Sequence, residues 1–302
     1  MKRKIYYILP AAMMLSCGGG EEATTEAPGP DTAAVAIEYA PLMASADVTT
    51  QTVYTKIADV TAVEDKSTVI RYVSEEYNQP FPTELLDAQN LQVLALTNMT
   101  GEIPAEINKF KNLTTLVISG DYTTLPETVG ELTNIKAVSF EYCKKLDLNQ
   151  AIGVLKNCPN LQYLNIAGMD LAELPASIAD LQSLVEIRMG NNAFTTLPDT
   201  LFTLPNLAEL RFAGLGLDYN AVLTQAKNLP ALSTLWVQYV GLTTLPKVIG
   251  EYPALTSVHW REELAGKDSD QIIATTDKET KKFGGKINVT WDGMSGLYYD
   301  IY

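Results

Sequence analysis

The chain of 302 residues has few of the side chains that metal sites and nucleic-acid surfaces require. It contains one histidine and three cysteines, too few for the multi-His or Cys-rich ligand sets that hold zinc. Its 22 Lys and Arg side chains are outnumbered by 36 Asp and Glu, which gives a formal net charge of −14. A surface that binds a phosphate backbone needs clustered basic side chains. We therefore expect no metal site and no nucleic-acid partner.

Signatures of catalysis are also missing from the sequence. His259 is the only histidine, and no motif places a nucleophile and an orienting acid beside it. The chain also lacks a glycine-rich loop of the kind that binds phosphate groups. The sequence therefore favours a protein that is not an enzyme and carries no cofactor.

The first residues have the pattern of an export signal. A basic segment, 2–4, precedes a largely apolar run over 5–16, and this run is shorter than the roughly 20 apolar residues that a transmembrane helix needs. The small residue Ser16 stands directly before Cys17, which glycines follow. This pattern resembles the lipobox of bacterial lipoproteins. The resemblance implies acylation of Cys17 and a lipid anchor in the outer membrane, with the protein facing the periplasm or the cell surface.

The segment after Cys17 has the composition of a flexible linker. Residues 18–35 are almost all Gly, Ala, Thr, Pro and Glu, and such segments cannot bury enough apolar surface to fold. Glu21 and Glu22 resemble the acidic tag that directs some Gram-negative lipoproteins to the cell surface, which we slightly prefer over the periplasm. The alternative is that these two glutamates only solvate the linker.

An apolar pattern recurs every 22 to 26 residues from Leu91 onward. Each instance has an apolar residue, two variable residues, a second apolar residue, one variable residue and a third apolar residue. The eight instances are Leu91/Leu94/Leu96, Leu113/Leu116/Ile118, Ile135/Val138/Phe140, Leu161/Leu164/Ile166, Leu184/Ile187/Met189, Leu207/Leu210/Phe212, Leu232/Leu235/Val237 and Leu255/Val258/Trp260. Residues two apart in a strand share a face, so these side chains can line a core that forms only when the turns stack.

This repeat resembles that of the leucine-rich repeat family over about residues 69–265. The resemblance implies an α/β solenoid with a curved parallel β-sheet on the concave face. Irregular, 3-10 and short helical segments would form the convex face, with a cap at each end. Together with the lipobox, it indicates a bacterial surface lipoprotein of the leucine-rich repeat type.

Prolines predict the structure of the convex side. Proline has a fixed φ and no N–H group, which suits an irregular segment better than a central strand. An aliphatic residue precedes proline in five repeats: Ile103-Pro104, Leu125-Pro126, Leu174-Pro175, Leu197-Pro198 and Leu245-Pro246. A sixth pair, Phe81-Pro82, suggests a degenerate turn before the first repeat. Two longer repeats lack this pair, and there we expect short helices capped by Asp or Asn, from Asp147 or Asn149 in one repeat and Asp218 or Asn220 in the other.

We divide the chain into five segments on this basis. They are a signal peptide over 1–16, a linker over 17–35, an N-terminal cap and degenerate first repeat over 36–90, the solenoid over 91–265 and a C-terminal cap over 266–302. In the last segment we expect a helix from Asp268 or Ser269 to about Lys282, a strand over Lys286–Trp291, and an aromatic tail, 297–302, packed on the last turn.

The resemblance implies that the third, fifth and seventh positions of each strand project from the concave sheet. Large and polar side chains gather at these positions on the last five turns. They are Tyr163, Arg188, Arg211, Trp236, Gln238, His259 and Arg261. Tyr239, one position past its strand, is added to this candidate binding site. Trp, Tyr and Arg dominate binding hot spots, and the sequence gives Trp236 no structural reason to face solvent. The alternative is that Glu186–Arg188 and Glu209–Arg211 form ion pairs that only solvate the sheet.

The resemblance also predicts the environment of individual asparagine and cysteine residues. The asparagine that usually follows the strand in this family occurs only as Asn192, whereas Asp121 and Cys143 take its place in two other turns, so we expect less regular loops. Cys143 and Cys158 are expected to be buried small side chains, and export to an oxidising compartment leaves a disulfide between them possible.

Three functions fit these features. The first is a recognition module that binds a protein partner through the concave face. The second is the capture of an oligosaccharide by an accessory lipoprotein of an outer-membrane uptake system, with Trp236, Tyr163 and Tyr239 as stacking platforms. The third is a structural role in an envelope complex. All three contact the membrane only through the lipid anchor.

Overall fold

The computed structural model describes residues 52–213, 216–238, 241–261 and 269–290. The predicted signal peptide, Cys17, the linker and the aromatic tail lie outside the described residues. Tyr239 and the side chain of Arg261 also lie outside them. Across the described ranges, every helix is too short or too polar to cross a bilayer.

Ten strands form one sheet, in which they follow each other in chain order and all pairs are parallel. The strands are β1 Arg71–Val73, β2 Val93–Met99, β3 Thr115–Gly120, β4 Ala137–Ser139, β5 Tyr163–Asn165, β6 Glu186–Arg188, β7 Glu209–Ala213, β8 Thr234–Gln238, β9 Ser257–Arg261 and β10 Asn288–Thr290. The register pairs equivalent positions of successive repeats, such as Leu94 with Leu116 and Leu116 with Val138. The predicted leucine-rich repeat solenoid is therefore confirmed, and β1 is the strand of its degenerate first repeat.

Short helices form the other side of each turn. The α-helices are α1 Ile57–Ala62, α2 Leu148–Leu155, α3 Tyr219–Ala226 and α4 Ser269–Lys282. The 3-10 helices are Lys66–Thr68, Thr83–Asp87, Ala105–Lys109, Glu127–Glu131, Ala176–Asp180, Asp199–Thr203 and Lys247–Glu251. Proline directly precedes the last six of these, with φ between −74° and −60°, which agrees with the expected role of the proline pairs.

The two longer repeats contain the predicted capped helices. The Asp147 side chain accepts a hydrogen bond from Gln150 N at 3.0 Å at the start of α2. The Asp218 side chain accepts bonds from Asn220 N and Ala221 N at the start of α3. These bonds satisfy amide groups that the first helical turn leaves unpaired.

One continuous core runs through the stacked turns. The central apolar residue of every predicted repeat has no exposed surface: Leu94, Leu116, Val138, Leu164, Ile187, Leu210, Leu235 and Val258. Cys143 and Cys158 are buried and free, as the resemblance implied, and no disulfide joins them. Each thiol instead contacts a main-chain oxygen, with Cys143 Sγ 3.3 Å from Ile118 O.

Additional elements flank the repeats at both ends. Tyr54 forms a parallel bridge to Tyr72 beside β1. At the other end, α4 has the predicted bounds, and β10 is shorter than the predicted strand and pairs with β9. The Glu279 side chain of α4 accepts a bond from Thr244 Oγ1 at 2.6 Å, which holds the helix against the last proline-containing turn.

Asn192 links the main chain of its own turn to that of the preceding turn. Its Nδ2 donates to Ile166 O at 2.9 Å and to Met189 O at 3.1 Å, and its Oδ1 accepts from Leu171 N at 3.1 Å. We expect Asn192→Ala to lower the free energy of unfolding by about 2–4 kcal/mol, because it leaves several buried polar groups without partners. Urea unfolding measures this loss.

Asn206→Ala is the matched control, because the exposed Asn206 side chain makes one hydrogen bond within the described ranges, to Gln182 O. We expect this control to lose about 1 kcal/mol or less. Equal losses in the two variants would contradict the structural role of Asn192.

Candidate functional site

The face of the sheet that points away from the core carries the predicted site. We call it the outer sheet face. On β4–β9 the first two outward positions of each strand, which alternate with the core residues, are Ala137, Ser139, Tyr163, Asn165, Glu186, Arg188, Glu209, Arg211, Thr234, Trp236, Ser257 and His259. The parallel register sets these side chains in two rows that run across the strands.

Charged residues of β6 and β7 form an ion-pair network. Glu186 Oε1 accepts from Arg188 Nε at 2.8 Å and lies 3.0 Å from Arg211 Nε. Glu209 Oε1 accepts from Arg211 Nε at 2.6 Å and also contacts the Nη2 of Arg211. Burial raises the pKa of Glu209, and the Arg211 guanidinium opposes that shift. This network is more sheltered than a surface ion pair, since both arginine side chains are only 11–13% exposed.

Aromatic rings extend the network towards both ends of the sheet. The guanidinium carbon of Arg188 lies 5.2 Å from the centre of the Tyr163 ring, and that of Arg211 lies 3.9 Å from the centre of the Trp236 ring. On its other side Trp236 stacks on His259, with ring centres 3.7 Å apart and planes 11° apart. Cation–π contacts of this kind strengthen when the cation is desolvated.

This packing gives Trp236 the structural role that its sequence position did not reveal. The side chain is 4% exposed, and its two ring faces contact Arg211 and His259. Its Nε1 is buried and has no hydrogen-bond partner in the described part of the chain. Trp236 therefore supports the arrangement of neighbouring side chains and does not offer a free ring face.

His259 ends the row of stacked side chains as a neutral ring. Its Nδ1 lies 2.9 Å from Thr290 Oγ1 on β10, and its Nε2 lies 3.3 Å from Ser257 Oγ. Burial, followed by the positive charge of Arg211, lowers the pKa of His259 to about 4. The imidazole is therefore uncharged at neutral pH and adds no positive charge to the site.

The neutrality of His259 can be measured directly by proton NMR, because the chain has no other histidine. We expect its ring resonances to titrate with a midpoint near 4. Since the folded-state pKa lies below the ordinary value, the unfolded chain takes up this proton first. Stability should therefore fall as the pH drops from about 6.5 to about 4. A midpoint near the ordinary value would contradict the stacked, buried geometry.

The structure brings together most of the predicted site residues. Tyr163, Arg188, Arg211, Trp236 and His259 form one connected row of contacts. Gln238 is buried at the end of β8, where its backbone pairs with that of Arg261. The predicted contacts of Tyr239 and of the Arg261 side chain lie outside the described residues.

Sequence reasoning missed a second group at the end of β4. Ser139 and Glu141 are each 4% exposed, and Ser139 Oγ and Glu141 Oε2 are buried without hydrogen-bond partners in the described ranges. Burial raises the pKa of Glu141 to about 8, although the positive charge of Arg188 lowers it in part. The available signal was that Glu141, unlike Glu186 and Glu209, has no arginine two residues after it.

Among the described residues, no three His, Cys, Asp or Glu side chains are grouped so that they could hold a metal ion. The polar atoms of the outer sheet face are suited to hydrogen bonds and ion pairs with another molecule.

Comparisons with known proteins give a general likeness of fold. No family model matches the chain. Among solved structures, a leucine-rich repeat protein of Leptospira interrogans is 20% identical with a TM-score of 0.45, and the match covers 74% of this chain and 62% of that one. An internalin of Listeria monocytogenes is 16% identical with a TM-score of 0.45, covering 78% and 70%. Internalin C2 of the same species is 19% identical with a TM-score of 0.42, covering 56% and 72%. The chain thus spans less than two thirds of the Leptospira protein.

Proposed function

We propose that this protein is a non-enzymatic, lipid-anchored recognition module that binds a protein partner through the outer sheet face. The observation that carries the proposal is the row of contacts from Tyr163 to His259, which spans five adjacent strands. Interlocked Arg and aromatic side chains are held in fixed positions before a partner arrives. Such preorganisation lowers the entropic cost of binding.

Glycan capture has weaker support from the contacts. A sugar ring stacks on a free aromatic face, whereas both faces of Trp236 are occupied. One side of Tyr163 faces Arg188. A protein surface can instead use the charged and polar edges that these packed side chains present.

The test is affinity capture from solubilised membranes with variants that spare the network. Val117→Arg and Thr234→Arg place bulk and charge at two partly exposed positions of the outer sheet face, on β3 and β8. Thr224→Arg adds the same side chain at an exposed position of α3 and is the matched control. We expect the two face variants to lose a partner that the control retains.

The opposite result, with the partner lost only from the Thr224 variant, would favour a role for the helical side in an envelope complex. Retention of the face variants on immobilised polysaccharide, without a protein partner, would favour glycan capture. The proposed anchor is tested separately by mass spectrometry of the mature N-terminus. A chain that begins at an acylated Cys17 supports it, and an unmodified N-terminus at another residue excludes it.

A further inference from the structure

The end of β4 combines two unsatisfied polar groups on the outer sheet face. Phe140 is fully buried in the core, so the residues on either side of it, Ser139 and Glu141, point to the outer face. Phe140 N donates to Asn165 O at 2.8 Å, which continues the pairing with β5 past the last strand residue. Buried polar groups are almost always hydrogen-bonded, so two orphan oxygens at adjacent positions of one face need an explanation.

The residue after Glu141 has a backbone conformation that is unfavourable for its side chain. Tyr142 has a φ of 58°, in the left-handed region that bulky residues rarely adopt. Its amide donates to Ala167 O at 3.1 Å, and its ring lies so close to Gly168 that a Cβ there would be 2.5 Å from the ring. The equivalent residues of other repeats, Asn98, Gly120, Gly168 and Asn191, also have a positive φ, so this conformation belongs to the turn that follows the strand. Here it fixes the main chain beside Glu141 and leaves the Tyr142 side chain 46% exposed at the rim.

The charges near Glu141 do not neutralise its carboxyl group. Arg188 of β6 is bonded to Glu186, and Tyr163 of β5 and Cys143 are the other titratable groups that interact with Glu141. Arg188 and Arg211 are matched by Glu186 and Glu209 in the ion-pair network. On β6 and β7 the two guanidinium groups thus each have a carboxylate partner, whereas Glu141 Oε2 has no hydrogen-bond partner in the described ranges.

We propose that Ser139 and Glu141 form a subsite for one basic side chain, Lys or Arg, of a protein partner. This inference rests on the proposed function and names the chemistry of its contact. The ammonium or guanidinium group donates to Glu141 Oε2 and Ser139 Oγ, which satisfies both orphan oxygens. A cationic group fits better than a neutral donor because it forms a charge pair with Glu141 once that carboxyl group has lost its proton. The net charge of −14 attracts basic surfaces towards the molecule.

Binding at this subsite is linked to the loss of a proton. Burial keeps the pKa of Glu141 at about 8 in the free protein, so the carboxyl group is mostly neutral at pH 7. When the cation binds, the Glu141 proton passes to solvent and a charge pair remains. Below the pKa, affinity for the cation should therefore rise about tenfold for each pH unit, and it should level off above it.

Carbon-13 NMR of the full-length protein, labelled at the glutamate carboxyl carbons, tests this inference. The probe is N-acetyl-lysine methylamide, and the matched control is N-acetyl-norleucine methylamide at the same ionic strength. We expect the titration midpoint of Glu141 to fall when the lysine probe is present and to stay unchanged with the norleucine probe. Glu141→Gln should weaken binding of the lysine probe about tenfold or more, since a buried charge pair is lost.

Two results would overturn the subsite. One is a Glu141 midpoint that is the same with both probes. The other is unchanged affinity of Glu141→Gln for the lysine probe, which would identify a neutral hydrogen-bond site. Either result leaves the proposed function intact if Val117→Arg and Thr234→Arg still abolish partner capture, so the two failures are distinguishable.

Discussion

Glu141→Gln is expected to stabilise the protein at alkaline pH. The folded-state pKa of Glu141, about 8, lies above its ordinary value of 4.5. Between these values the unfolded chain binds fewer protons than the folded one, so stability falls as the pH rises from about 4.5 to about 8. The amide of Gln does not ionise. At about pH 9 we expect a gain of roughly 2–4 kcal/mol, seen as a melting temperature higher by roughly 5–10 °C.

The same comparison at low pH is the internal control. At about pH 5 the buried Glu141 is protonated and resembles an amide, so the two proteins should melt within about 2 °C of each other. Melting curves recorded by circular dichroism across this pH range give both values. A Glu141→Gln variant that is less stable than the parent at alkaline pH would show that the carboxylate has a partner.

Arg211→Met is expected to cause the largest loss of stability among substitutions on the outer sheet face. Arg211 contacts Glu186 and Glu209 and covers one face of Trp236. Its removal leaves sheltered carboxylates without their counterion, which typically costs about 3–5 kcal/mol. Urea unfolding at neutral pH measures the change.

Two further variants separate the loss of charge from the loss of packing. Adding Glu209→Gln to Arg211→Met should recover part of the stability, because it removes one of the orphaned carboxylates. Lys227→Met breaks the ion pair with Glu251, whose side chains are 37% and 61% exposed, and should cost less than about 1 kcal/mol. Equal losses for Arg211→Met and Lys227→Met would contradict the sheltered network.

The sequence predicted the fold because each turn repeats the same physical constraints. Apolar residues two apart, such as Leu94 and Leu96, require a strand with one buried face. The proline pairs, five after an aliphatic residue and one after Phe81, predicted the irregular side of each turn, where six 3-10 helices follow proline. An Asp or Asn in each longer repeat predicted a capped helix, and the caps are Asp147 and Asp218. These signals are local, so they can be read one repeat at a time.

The contacts of the site were harder to predict because they join different repeats. The pattern placed Arg211, Trp236 and His259 in one column, but periodicity does not specify rotamers. It therefore did not show that Arg211 and His259 cover the two ring faces of Trp236. Glu141 was missed for a related reason: its lack of a partner depends on where Arg188 bonds, which is a three-dimensional property.

The central claim is that the outer sheet face contacts a protein partner in the cell. Site-specific photo-crosslinking with benzoyl-phenylalanine tests this claim most directly. One probe replaces Tyr142, which is 46% exposed at the rim of the site. The control probe replaces Ile273 of α4, which is 57% exposed. We predict that the probe at Tyr142 crosslinks to one protein and that the probe at Ile273 does not. A crosslinked partner found only from Ile273 would contradict recognition through the outer sheet face.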